Sequence, residues 1–108
     1  MELVTWDEPG IARLVIEPTL SSMLSDAERA SARSELREGP PPGRWTFEMS
    51  FPHDHFSCYV YQHPEMAEWT LTEVRSHFAN DLQDFIAEST FGWGQLRALP
   101  SWQDDEAP

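Results

Sequence analysis

Arg44-Trp45-Thr46-Phe47-Glu48-Met49-Ser50-Phe51-Pro52-His53-Asp54-His55-Phe56-Ser57-Cys58-Tyr59-Val60-Tyr61-Gln62-His63 is the stretch from which the architecture of this chain can be read. Trp45, Phe47, Met49 and Phe51 alternate with Thr46, Glu48 and Ser50, the period of two that marks a half-buried strand. Pro52 to His55 breaks the alternation and Phe56 to Gln62 resumes it, so the stretch predicts a β-hairpin. Pairing Phe51 with Phe56 sets Met49 against Cys58, Phe47 against Val60 and Trp45 against Gln62, which makes one face almost wholly apolar. The other face then carries Ser50 with Ser57, Glu48 with Tyr59 and Thr46 with Tyr61, a face suited to water.

Working outward, the C-terminal side supplies a cover for the apolar face. Thr70 and Glu73 stand at capping-box spacing, and Leu71, Val74, Phe78, Leu82 and Phe85 follow at steps of three and four, with Ile86 on the flank. This spacing predicts a long helix to about Thr90, stopped by Phe91-Gly92-Trp93-Gly94 and lying across the hairpin. Leu96, Leu99 and Trp102 are expected to fold back on the core, and residues 103–108 to form an acidic flexible tail.

On the N-terminal side, Leu3 to Trp6 reads as a short strand and Asp7-Glu8-Pro9-Gly10 as a turn. Ile11 to Glu17 is rich in β-branched residues, so a second hairpin is expected there. A helix from Pro9 through Met23 is the competing reading, and Pro18 is the argument against it. Ser25 to Glu38 is read as a shorter surface helix, capped by Ser25 or Asp26, with Glu28 at capping-box distance from Ser25, and stopped by Gly39 and Pro40. Gly39-Pro40-Pro41-Pro42-Gly43 is read as a stiff spacer. The fold class expected is α+β: an antiparallel sheet of two β-hairpins, a long C-terminal helix packed on one face, a shorter surface helix, all in one domain over residues 1–102.

Composition narrows the function. Among 108 residues there are 7 basic and 19 acidic side chains, a formal charge of −12. Affinity for nucleic acid or for an anionic membrane comes from basic patches, so direct binding of either is not expected, and a basic protein partner is. The 40% hydrophobic content, with five Trp and six Phe, is that of a folded chain. No apolar run approaches the roughly 20 residues of a membrane span, and the first residues lack a basic and an apolar leader region. A cytoplasmic protein is expected. Cys58 is the single cysteine, which leaves no intrachain disulfide, and its inward position in the hairpin makes it a small buried hydrophobe.

Glu73, His77, Asp81, Asp84 and Glu88 fall within an arc of roughly 80° on the long helix. Like charges at this spacing repel by a few tenths of a kcal/mol each, so a row of them suits a surface kept for a cationic partner. Tyr59 and Tyr61, facing outward on the sheet, would add aromatic anchors, with Trp69, Trp93 and Trp102 in reserve. His53 and His55 flank Asp54 in the hairpin loop and form a weak candidate metal pair. No zinc-ligand spacing, phosphate loop, nucleophile elbow or Cys–His couple accompanies them, so neither a cofactor nor catalysis is expected.

Asn80-Asp81-Leu82-Gln83-Asp84-Phe85-Ile86-Ala87-Glu88-Ser89-Thr90-Phe91-Gly92-Trp93-Gly94 resembles the Leu-Gln-Asp…Glu…Trp-Gly helix end of small uncharacterised bacterial proteins. In size, acidity, aromatic content and lack of catalytic motif the chain is also similar to bacterial toxin-immunity proteins. That likeness implies a non-catalytic inhibitor that covers a basic partner, a cognate toxin. The runner-up is a phage or bacterial regulatory protein that mimics nucleic-acid charge and occupies a DNA-binding protein. A small metal-dependent enzyme using His53, Asp54 and His55 comes third.

Overall fold

Asp7 caps the first helix by accepting a hydrogen bond from the Gly10 N–H at 2.9 Å, with Pro9 in the first turn behind it. Asp, Pro and Gly spell a turn in sequence, but Asp before Pro is equally a helix start. In the computed structural model, which describes residues 6–40, 42–90, 92, 94 and 95, this start is the one realised. Helix α1 (Glu8–Ile11) runs into a π-helical turn (Ala12–Ile16) and on into α2 (Glu17–Met23). The expected second hairpin is therefore a helical run, with Ile11 and Val15 fully buried and Leu20 and Met23 almost so. Leu3 to Thr5 of the expected first strand lie outside the described residues, as do the expected contacts of Leu96, Leu99 and Trp102 and the acidic tail.

The run survives Pro18 for a reason that lies elsewhere in the chain. Pro18 has no N–H to offer the carbonyl four residues back, that of Leu14. Arg75, 3% exposed, reaches across and donates its Nε–H to Leu14 O at 2.7 Å. Around the same point the Glu17 N–H bonds Ala12 O, the wider π-helical step, and the Thr19 hydroxyl donates to Val15 O at 2.8 Å. A side chain from another element thus completes the backbone bonding that proline leaves open.

The expected shorter helix is half right. Ser25 and Glu28 form the capping box, but α3 (Asp26–Ser31) ends there, with no buried residue to hold it longer. Ala32 is extended, and Arg33–Glu38 is strand β1, paired antiparallel with β2 (Arg44–Ser50) from Arg33↔Ser50 to Glu38↔Trp45. Gly39 and Gly43, at φ 68° and 88°, turn the chain between them. The proline run is thus a hairpin connection and not a spacer. With β3 (His55–Gln62) the sheet has three strands in the order β1-β2-β3, in place of two hairpins.

The central hairpin pairs two residues tighter than the sequence suggests. Met49 faces Phe56, Phe47 faces Cys58, Glu48 faces Ser57 and Thr46 faces Tyr59. The Phe51 N–H bonds Asp54 O at 2.8 Å, which shortens the loop. A shift by two keeps every side chain on its face, so Phe47, Met49, Phe56 and Val60 are buried as the alternation requires. A bulge between Trp45 and Thr46 then breaks the phase, and Trp45 pairs with Tyr61. Tyr61 is turned inward by it, 4% exposed and stacked on Trp6 at 4.2 Å between ring centres.

Helix α4 (Leu71–Glu88) begins at the Thr70–Glu73 capping box. Val74, Phe78, Leu82 and Ile86 are fully buried, with Ala79 and Arg75 beside them, while Leu71 and Phe85 are only partly covered. Phe78 stands edge-on to Phe47 at 5.5 Å, and Phe85 meets Phe56 at 5.1 Å and Phe51 at 5.9 Å. The Ser89 hydroxyl bonds Ile86 O and receives the Gly92 N–H, closing the helix end. Among the described residues no helix is long and apolar enough to cross a membrane.

Candidate functional site

Helix α4 buries one stripe, so the neighbouring row of polar residues comes to rest beside strand β3, at the margin of the sheet. An open groove of about 920 Å³ lies there. Its helix wall is His77, Asp81, Asp84, Phe85 and Glu88; its sheet wall includes Glu48, Ser57, Cys58 and Tyr59. Arg37 of β1 and His55 of β3 also line it.

The carboxylates dominate its charge. Glu48 sits directly opposite Glu35 on β1, a like pairing that the Arg37 guanidinium relieves by contacting Glu48 at 2.8 Å and Glu35 at 3.8 Å. His55 lies 3.8 Å from Glu48, and its Nδ1 is 2.9 Å from Ser50 Oγ. His77 Nε2 is 3.4 Å from Asp81, a pair that is ionic only when the imidazole is protonated, and Trp69 stands edge-on to its ring. Tyr59 is 45% exposed, and the Arg44 guanidinium lies 5.0 Å from its ring centre. Cys58 also lines the groove. Burial, and then the charge of Asp81, push its thiol well above its ordinary range, which favours its neutral form.

The structure divides the residues singled out in sequence. His77, Asp81, Asp84, Glu88 and Tyr59 share the groove. Glu73 does not: its carboxylate accepts the Thr70 N–H at 2.8 Å and belongs to the helix cap. Tyr61 does not either, because the bulge carries it into the core. Glu48 and Arg37 are the charged groove residues that sequence reasoning missed. Glu48 was legible as a solvent-facing strand residue, but nothing in the pattern places it near α4. Arg37 was assigned to a helix that is a strand.

The hairpin-loop triplet is pulled apart. Asp54 turns toward the end of α4 and accepts the Thr90 N–H at 3.1 Å and the Thr90 hydroxyl at 2.6 Å. His55 turns to Ser50 and Glu48, and His53 is exposed. Asp54 therefore ties the loop to the end of the helix. Among the described residues no three His, Cys, Asp or Glu side chains gather so as to hold a metal ion. No family model matches the chain, and no characterised protein and no solved structure matches it.

Proposed function

We propose that this chain is a non-catalytic binding protein that neutralises a basic protein partner by holding it in the groove between α4 and the sheet, most concretely as a toxin-immunity protein. One observation carries the reading: Glu48, Asp81, Asp84 and Glu88 reach a single concavity from separate elements. A charged helix face alone is commonly just a solvated face, whereas carboxylates facing one another across a groove repel unless a cation comes between them. Among the described residues Arg37 pairs with Glu48 and Glu35, and the other basic side chains lining the groove are the imidazoles of His55 and His77. The formal charge of −12 adds a long-range field that draws a cationic protein in. Tyr59, exposed at the sheet wall, supplies an aromatic anchor of the kind that dominates protein interfaces.

The test compares wild type with Asp81→Asn/Asp84→Asn as baits over a salt series, with melting curves alongside. The variant should keep or slightly raise its Tm, since like-charge repulsion falls. It should lose a basic partner that wild type retains at low salt. Equal capture of the same partner by both baits at every salt concentration would refute the groove as the binding face.

A further inference from the structure

Strand β3 is bonded on one side only among the described residues, since β2 lies in the middle of the order β1-β2-β3. The phase of its bonding follows from the turn. The Phe51 N–H donates to Asp54 O, and antiparallel bonding recurs at every second residue, so Met49↔Phe56 and Phe47↔Cys58 are the bonded pairs. His55, Ser57 and Tyr59 alternate with Phe56 and Cys58, so their N–H and C=O groups point away from β2. All three are exposed and all three line the groove. The two outer strands are guarded differently. β1 carries Arg33, Glu35, Arg37 and Glu38, charges of both signs that discourage a further strand, whereas β3 has no Lys, Arg or Pro from His55 to Gln62.

We infer that the groove takes its partner as an added β-strand: an extended, basic segment of the partner protein pairs with the free edge of β3 at His55, Ser57 and Tyr59. Charge complementarity selects this occupant. Another copy of a chain with formal charge −12 is repelled by the carboxylates on both walls. In an added strand alternate side chains point to opposite faces, so one set faces Asp81, Asp84 and Glu88 and the other lies beside Tyr59. Asp81 and Glu88 are separated by roughly 10 Å along the helix axis. Alternate residues of a strand repeat every ~7 Å, so two cationic side chains of the added segment reach that row. The inference rests on the proposed function and adds the mode of binding to it.

The probe is a fluorescent peptide of alternating Arg and Val, six residues long, with a second version N-methylated at every other amide so that charge is kept and strand bonding is lost. Binding is read by fluorescence polarisation at low salt on wild type, on Asp81→Asn/Asp84→Asn and on Ser57→Pro. Proline is tolerated at an outward N–H of an edge strand, and a melt checks that variant's fold. The unmodified peptide should bind wild type at least about tenfold more tightly than the N-methylated one, the loss of two or three net hydrogen bonds. Ser57→Pro should weaken the unmodified peptide by a similar factor. Amide exchange at His55, Ser57 and Tyr59 should slow in the complex. Binding within twofold for both peptides, or unchanged exchange at those amides, overturns strand addition. If that binding still depends on Asp81 and Asp84, the acidic groove stands without it; if it does not, both readings fall.

Discussion

Replacing Arg75 by Met tests the central structural claim, that a guanidinium on α4 completes the backbone of a helix 61 residues away in sequence. Methionine keeps an unbranched apolar stem and removes the donor. The bond lost is one from a charged donor to a buried carbonyl, worth ~1.5–3 kcal/mol, and Leu14 O is left without its partner. Relief from burying a charge offsets part of this. A net loss of about 2 kcal/mol is expected, which lowers Tm by roughly 8–16 °C for a domain of this size. Burial and strain contribute to any core variant, so the decisive measurement is a cycle with Pro18→Ala. Alanine at position 18 restores an N–H four residues after Leu14. In the Arg75→Met background it should recover at least about 1 kcal/mol beyond its effect in wild type. Urea unfolding followed by tryptophan fluorescence gives all four stabilities. A loss under ~0.5 kcal/mol for Arg75→Met, or equal effects of Pro18→Ala in both backgrounds, would refute the assignment.

Phe47→Ala should cost about 3–5 kcal/mol, because its ring meets both Phe56 and Phe78, whereas Thr46→Ala on the opposite face should cost under ~1 kcal/mol; equal urea midpoints would refute the assignment of faces. Gly92→Ala should destabilise by about 1–3 kcal/mol, since a Cβ there would stand 2.6 Å from Ile86 Cγ2 and 2.9 Å from Ile86 O; an unchanged melt would show that this close approach is absent. Asp54→Ala should cost about 1 kcal/mol and speed amide exchange at Thr90, and unchanged exchange would remove the proposed tie between loop and helix. Cys58 and Tyr61 both have their ionisation pushed up, chiefly by burial. Each favours its neutral form when folded, so the stability they confer is complete below their unfolded values of 9.0 and 10.0 and falls as pH rises above them. Urea midpoints from pH 8 to pH 11 should therefore decline, and Cys58→Ala should shed the earlier part of that decline.

Local chemistry carried the sequence reading a long way. Alternation from Trp45 to Phe51 assigned the buried face, and it survived a register error of two residues because strand side chains repeat with that period. The capping boxes at Ser25 and Thr70 were readable for the same reason: each is closed within four residues of chain. Acidic side chains along α4 were legible as a row. What the row faces was not, because Glu48 joins it only once strand and helix are packed. Three decisions belonged to tertiary structure alone. Residues 33–38 extend because β2 offers them backbone partners that a helix with no buried face could not better. Tyr61 is in the core because one bulge in the hairpin reverses its side. Ile11 to Glu17 is helical, against its β-branched composition and against Pro18, because the carbonyl that proline orphans is answered by Arg75. A proline's cost is local and visible in sequence; the donor that meets it lies on another helix and exists only in the folded chain.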